Sequence, residues 1–181
     1  MENAKYILQN NINWTSNCDS KVSYVLTVNG VILTIILTSE NSKYLYNTLR
    51  YKATSKICNL GNIINFFEFA VLLCFLGFLL ISFFYAFTAL KARFDPNKFS
   101  EDNDLNESNI FWGTISKKKF ADYKTAIYTI DDEILKADLV KQVYITSKIC
   151  HKKFERYNSC LLFTAFAYIA LILYVIIRVK L

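Results

Sequence analysis

The chain has 181 residues, 54% hydrophobic and 16% aromatic, proportions high for a soluble domain of this size. Its four glycines and single proline are too few for the turns of a sandwich or barrel and favour long helices. A net charge of +6 on so apolar a chain makes anionic lipid headgroups the default partner, and nucleic acid is not expected.

Residues 1–20 are polar, with Asn10, Asn11, Asn13, Ser16 and Asn17, and lack the charged, apolar and cleavage regions of a signal peptide. They read as a short helix or ordered arm around Tyr6, Ile7, Leu8, Ile12 and Trp14. Residues 22–38 form the first apolar run, about 17 residues and near the lower limit for a spanning helix. Asn29 and Gly30 fall near its middle. An amide is costly in hydrocarbon, so Asn29 is expected to face another helix, with Gly30 allowing close backbone approach. A packing pair and a pore-lining or gating pair both fit. Residues 39–62 are polar and basic, with tyrosines at partly amphipathic spacing, and suit an interfacial helix.

The second run, 63–90, is the strongest spanning candidate; its one charge, Glu68, lies near an end. Lys91, Arg93 and Asp95-Pro96-Asn97 end it with a basic flank and a turn, and a polar loop follows over 97–109. Phe111-Trp112-Gly113 is an aromatic knot in which Gly113 is expected to serve a turn. Ser116 looks like an N-cap, which places Lys117, Lys118 and Lys119 in a first turn where they oppose the macrodipole. They are either a solvated or lipid-facing basic patch or a phosphate site. Asp131 is a good N-cap for the next helix, with Ile130 and Leu135 as a staple and Asp132 and Glu133 in the first turn. Leu135, Leu139, Val143, Cys150, Phe154 and Tyr157 continue an amphipathic stripe. Asp138, Lys141, Gln142, Lys148, Lys152 and Lys153 decorate that helix, most of them on a solvated face. From Ser159 the pattern is apolar all round, with no intervening glycine or proline. The last span therefore continues the preceding helix, as a rod about 70 Å long at 1.5 Å per residue.

The pattern predicts an all-α membrane protein with about three transmembrane helices and a helical cytoplasmic insert between the second and third, the last helix continuous with the insert. The expected divisions are 1–21, an N-terminal arm; 22–90, two spans and an amphipathic connector; 91–158, the sensor insert; and 159–181, the third span. Near the bilayer, Lys5, Lys21, Lys91, Arg93, Lys98, Lys148, Lys152, Lys153 and Arg156 lie on one side, against Lys43, Arg50, Lys52, Lys56, Arg178 and Lys180 on the other. That asymmetry puts 91–158 in the cytoplasm.

No enzyme is indicated. His151 is the only histidine, and no GxSxG, Walker A or GxGxxG occurs. Cys18, Cys58, Cys74, Cys150 and Cys160 are odd in number and scattered, without CxxC or Cys/His ligand spacing, so reduced thiols are the simplest reading. Asp131, Asp132 and Glu133 are better explained by a helix start than by a metal, and neither metal nor cofactor is expected. Gln142 and Tyr144 have the chemistry to hydrogen-bond a base or sugar.

The ordered set of features resembles the transmembrane effectors of Pycsar, the bacterial pyrimidine-cyclase anti-phage system. It comprises Asp19-x-Lys21 leading into an apolar run with Asn29-Gly30, a second apolar run, the aromatic-Gly-x-Ile knot at 111–115, Asp138-Leu139-x-x-Gln142-Val143-Tyr144, and Lys148 and Lys153-Phe154 before the last span. The resemblance implies a multi-pass receptor of the bacterial inner membrane for cyclic CMP or cyclic UMP made by a partner pyrimidine nucleotide cyclase. Binding would then impair the membrane and cause growth arrest or death of the infected cell. From the chemistry, the ligand contacts are expected at Phe111, Trp112, Ser116, Lys117, Lys118, Lys119, Gln142 and Tyr144, with Asn29 and Gly30 at a packing or gating position in a homo-oligomer. A ligand-independent holin-like pore former or a structural membrane subunit is the alternative.

Overall fold

Long runs rich in leucine, isoleucine and phenylalanine and poor in glycine and proline favour helix. The computed structural model describes residues 1–38, 43, 46, 48, 60–91 and 108–179, and no strand occurs among them. The helices, in chain order, are α1 (Glu2–Thr38), α2 (Leu60–Leu90), α3 (Trp112–Ile115), α4 (Phe120–Thr129) and α5 (Asp132–Val179). Three of them, α1, α2 and α5, are long and apolar enough to cross a membrane. The fold is thus all-helical with three spanning-capable helices, as the pattern predicted.

One local expectation needs correction and another holds. Residues 1–20 are not a separate helix or arm at the level of backbone: α1 runs unbroken through them into the apolar run. The backbone groups of the polar residues are satisfied within the helix, so composition alone does not end it. α5 is likewise one helix of 48 residues, with no interruption between Tyr157 and Leu162. Leu135 N–H donates to Asp131 O at 3.0 Å, which puts Asp131 at the N-cap position expected for it. The interfacial helix expected over 39–62 lies largely outside the described residues, as do the Asp95-Pro96-Asn97 turn and the loop that follows it.

The chain divides into two units. One comprises Met1–Asp19 and Lys91–Phe154. Here the start of α1 is joined to α5 by specific polar contacts. Asn11 Nδ2 donates to Ser147 Oγ at 2.7 Å and to Val143 O at 3.2 Å. Lys153 Nζ donates to both carboxylate oxygens of Asp19, at 2.6 and 2.7 Å. Trp14 meets Phe154 edge-on, with ring centroids 6.3 Å apart. Leu139 and Ile145 are buried, but so are Asp138, Gln142 and Lys153. Those three therefore do not lie on a solvated face; each is paired with a residue distant in sequence, which is what permits its burial. Lys148 and Lys152 do face solvent.

The other unit comprises Ser20–Leu90 and Glu155–Leu181. Its core is formed by Leu72, Phe75 and Leu79 of α2 against Ala167, Ala170 and Tyr174 of α5, with Leu33 and Ile36 of α1 packed on it. The small alanines opposite Phe75 let the helices approach closely, the usual device where lipid supplies no hydrophobic drive to associate. Leu80, Phe84, Phe87, Ile169 and Ile172 are exposed, a surface suited to acyl chains.

Candidate functional site

Three of the expected ligand residues, Phe111, Lys118 and Gln142, belong to a hydrogen-bonded network between residues 108–118 and α5. Asp138 and Gln142 stand four residues apart, hence on one face of the helix, and are 6% and 5% exposed. Asn109 N–H donates to Asp138 Oδ2 at 2.7 Å, and Gln142 Nε2 donates to Ser108 Oγ at 3.1 Å. The same Ser108 hydroxyl accepts from the N–H groups of Ile110 and Phe111, at 3.1 and 3.0 Å. Thr114 Oγ1 donates to Ser108 O at 2.6 Å, and Lys118 Nζ donates to Asn109 Oδ1. The backbone N–H groups of residues 109–111 are thus taken up by Asp138 of α5 and by the Ser108 hydroxyl, which Gln142 in turn holds. Asp138 Oδ1 has no partner among the described residues, an uncommon state for an acceptor buried this deeply.

This network brings together Phe111, Lys118 and Gln142, with Lys117 and Lys119 flanking Lys118 in sequence and exposed. The backbone of Trp112 opens α3; its side chain lies outside the described residues. Tyr144 is not part of the cluster. Two residues from Gln142, it points elsewhere on the helix, is 51% exposed, and has Lys148 Nζ 5.4 Å from its ring centroid.

Two local readings change, and a third keeps its place but not its reason. Ser116 is not an N-cap; it follows α3, and its Oγ donates to Gly113 O at 3.2 Å. The lysines do not occupy a first turn: Lys117 and Lys118 lie in the turn before α4, and Lys119 is the N-cap of α4, without a side-chain cap bond. The three lysines thus lead directly into the helix start and its free N–H groups, with Lys118 Nζ held by Asn109 Oδ1. Gly113 lies in the single turn closed by Thr114 N–H on Phe111 O at 3.1 Å, but without a positive φ, so the turn does not use its left-handed freedom. Its role is steric, since a Cβ there would stand 2.5 Å from Phe111 Cε1.

In the apolar unit several polar residues are paired across helices. Tyr168 Oη donates to Asn29 Oδ1 at 2.6 Å; Asn29 is 1% exposed and its Nδ2 has no partner among the described residues. A Cβ on Gly30 would meet nothing within 4 Å, so the expected close approach at that position is absent among the described residues. Ser82 Oγ lies 2.7 Å from Thr164 Oγ1 and donates to Cys160 O at 3.2 Å. Arg156 Nη1 donates to Thr88 O at 2.6 Å, satisfying a carbonyl in the last turn of α2. At the far end of α5, Arg178 Nη1 reaches Tyr174 Oη at 3.3 Å and Glu68 Oε1 at 3.4 Å. Arg156 and Arg178 are about 33 Å apart along the helix, close to the thickness of a hydrocarbon core.

Sequence reasoning missed Ser108, Asn109 and Asp138 as site-forming residues, and Ser82, Thr164 and Tyr168 as partners in the apolar unit. Asp138 and Gln142 left one signal, a polar pair at helical spacing inside an apolar stripe. Among the described residues no three His, Cys, Asp or Glu side chains group as metal ligands, and Cys18, Cys74, Cys150 and Cys160 are unbridged.

Comparison with known proteins bears on what these residues serve. A family described as "Pycsar effector protein domain" matches residues 3–179. The chain is 31% identical over 153 residues to the Pycsar effector protein GmPycTM of Gulbenkiania mobilis, an alignment covering 81% of this chain and 76% of that protein. No solved structure gives a significant match.

Proposed function

The chain belongs to the Pycsar effector family, and from that premise we propose that it is a non-enzymatic anti-phage receptor for a cyclic pyrimidine mononucleotide, cyclic CMP or cyclic UMP. Ligand made by a partner pyrimidine nucleotide cyclase drives it to impair the bacterial inner membrane, arresting or killing the infected cell. In this reading the chain works as a homo-oligomer, with 91–158 in the cytoplasm. The single observation that carries the mechanism is α5, one uninterrupted helix that holds Asp138 and Gln142 in one unit and Arg156 to Arg178 in the other.

The cyclic phosphate sits at Lys117, Lys118 and Lys119, where the uncapped start of α4 adds free N–H groups to three ammonium charges. The pyrimidine stacks on Phe111 or Trp112, since a π face accepts any base. Ser116 and Gln142 supply hydrogen bonds, and the unpaired Oδ1 of Asp138 accepts one from a ligand hydroxyl or N–H. Tyr144 serves only where the ligand extends beyond that cluster. A nucleotide that binds one arrangement of the 108–119 loop more tightly shifts α5 toward it, and the shift reaches the residues around Asn29 and Gly30.

Isothermal calorimetry of the detergent-solubilised full chain with cyclic CMP and cyclic UMP tests the receptor claim. Saturable heat with one of them is expected. No heat with either, from protein that retains its helical circular dichroism, refutes it. Membrane depolarisation on expression without any cyclase would favour the ligand-independent pore former instead.

A further inference from the structure

The buried face of α5 in the apolar unit is not uniformly apolar. Cys160, Thr164 and Tyr168 follow one another at intervals of four, so they share a face and rise about 12 Å along it. Their partners come from both other helices: Ser82 of α2 for Cys160 and Thr164, and Asn29 of α1 for Tyr168. Asn29 Nδ2, on a side chain 1% exposed, is an amide donor without a partner among the described residues. A polar seam therefore lies between three helices, with one amide donor unmatched among the described residues. It ends against an apolar block. Phe75 is 1% exposed and, with Leu72 and Leu79, packs on Ala167 and Ala170. Tyr174 belongs to the same block, and the polar residues resume at its hydroxyl, which accepts from Arg178 Nη1 at 3.3 Å.

We propose that this seam is the path by which water and small ions cross the membrane in the active state, and that Phe75, with Leu72 and Leu79, is the dry gate that closes it. The proposal rests on the membrane-impairing reading given above and names the residues that would carry it. Hydroxyl and amide groups lining a narrow path replace part of the hydration of water and small ions, while a ring of apolar side chains excludes water until it widens. In the closed state all of these groups except Asn29 Nδ2 pair with one another, which keeps an otherwise costly set of polar atoms inside the bundle. Separation of α5 from α2 would break the Ser82–Thr164 contact, move Ala167 and Ala170 off Phe75, and wet the seam from Arg156 to Arg178.

Cys160 provides a native reporter. Its thiol is fully buried and 3.4 Å from Ser82 Oγ, and thiosulfonate reagents attack thiolates that reach water. The wild-type chain is reconstituted into phosphatidylethanolamine/phosphatidylglycerol vesicles and exposed to a charged methanethiosulfonate, with cyclic CMP, cyclic UMP or no nucleotide. Leak of a trapped ion dye is followed alongside peptide-level mass spectrometry, which reads Cys160 apart from the other cysteines. Nucleotide is expected to start the leak and to raise the Cys160 labelling rate about tenfold or more. Leak with Cys160 still unlabelled overturns the seam and points to damage by clustering, leaving the receptor reading standing.

Phe75→Ser tests the gate without nucleotide. It is expected to leak constitutively, while Phe84→Ser, at a side chain 64% exposed, does not. A folded Phe75→Ser as tight as wild type overturns the gate; if that variant does not fold, wild-type labelling decides. Should Phe75→Ser leak and label at Cys160 while wild type ignores both nucleotides, the seam holds and the receptor reading fails. If neither leaks under any condition, both fall.

Discussion

The Asp19–Lys153 pair makes an asymmetric stability prediction. Its N–O distance is 2.6 Å, but the Lys153 side chain is 9% exposed and that of Asp19 is 37% exposed. Asp19→Ala leaves an ammonium buried without its counter-charge, for which removal of one partner costs about 3–5 kcal/mol. Lys153→Met keeps most of the stem volume and leaves a carboxylate that already reaches water, so the loss is nearer that of an exposed pair, about 1 kcal/mol or less. For a chain of this length about 1 kcal/mol moves the midpoint by roughly 2–4 °C. Asp19→Ala should therefore lower Tm by about 6–20 °C, and Lys153→Met by no more than about 4 °C. The double variant should be more stable than Asp19→Ala alone, because the second change removes the stranded charge. Thermal unfolding in detergent, followed by tryptophan fluorescence, reads all three. Lys153→Met losing as much as Asp19→Ala, or a double variant as unstable as the sum of the two, would refute the reasoning.

Three further predictions concern the candidate site and the apolar unit. Gly113→Ala should displace the Phe111 ring and weaken nucleotide binding by calorimetry while changing Tm by only about 1 kcal/mol equivalent; Phe111→Ala should cost the stacking itself, about 1–3 kcal/mol or roughly 5- to 150-fold in Kd. Replacing Lys117 and Lys119 together by alanine should weaken binding about tenfold or more, with the loss shrinking as salt rises, and a salt-independent effect would remove the phosphate assignment. Tyr168→Phe should destabilise the chain in detergent by about 0.6–2 kcal/mol, because it strips Asn29 Oδ1 of its donor; adding Asn29→Leu should recover most of that loss.

Periodicity revealed the long helices and the continuity of α5, because apolar spacing and the lack of breakers are local properties. It also placed Asp131 at a helix start from its side-chain chemistry alone. What it could not supply were partners. Asp138, Gln142 and Lys153 read as solvated because each is polar; they are buried because Asn109, Ser108 and Asp19 come to them from distant parts of the chain. Ser116 satisfied the composition of an N-cap, but α4 starts four residues later, at Phe120, and a turn lies between. Gly113 suggested a turn by its identity and lies in one, but what excludes a side chain there is the Phe111 ring, which no local pattern encodes. Asn29 was legible as a residue needing a partner, though not that Tyr168 would be that partner.

The contacts between α1 and α5 also set an order of assembly. Asn11 reaches Ser147 across 136 residues of chain, Asp19 reaches Lys153 across 134, and Asn29 reaches Tyr168 across 139. At ribosomal elongation rates of about 5–20 residues per second, α1 is complete on the order of 10 s before the residues that match its polar groups have been made. During that interval Asp19 and Asn29 are held by water, headgroups or the insertion machinery rather than by their final neighbours. Closure of the bundle is thus a late event in biogenesis, and its slow step is the arrival of the C-terminal helix. A chain that stops before residue 143 has none of these contacts, so a prematurely terminated product would present α1 to the membrane without the helix that normally covers it.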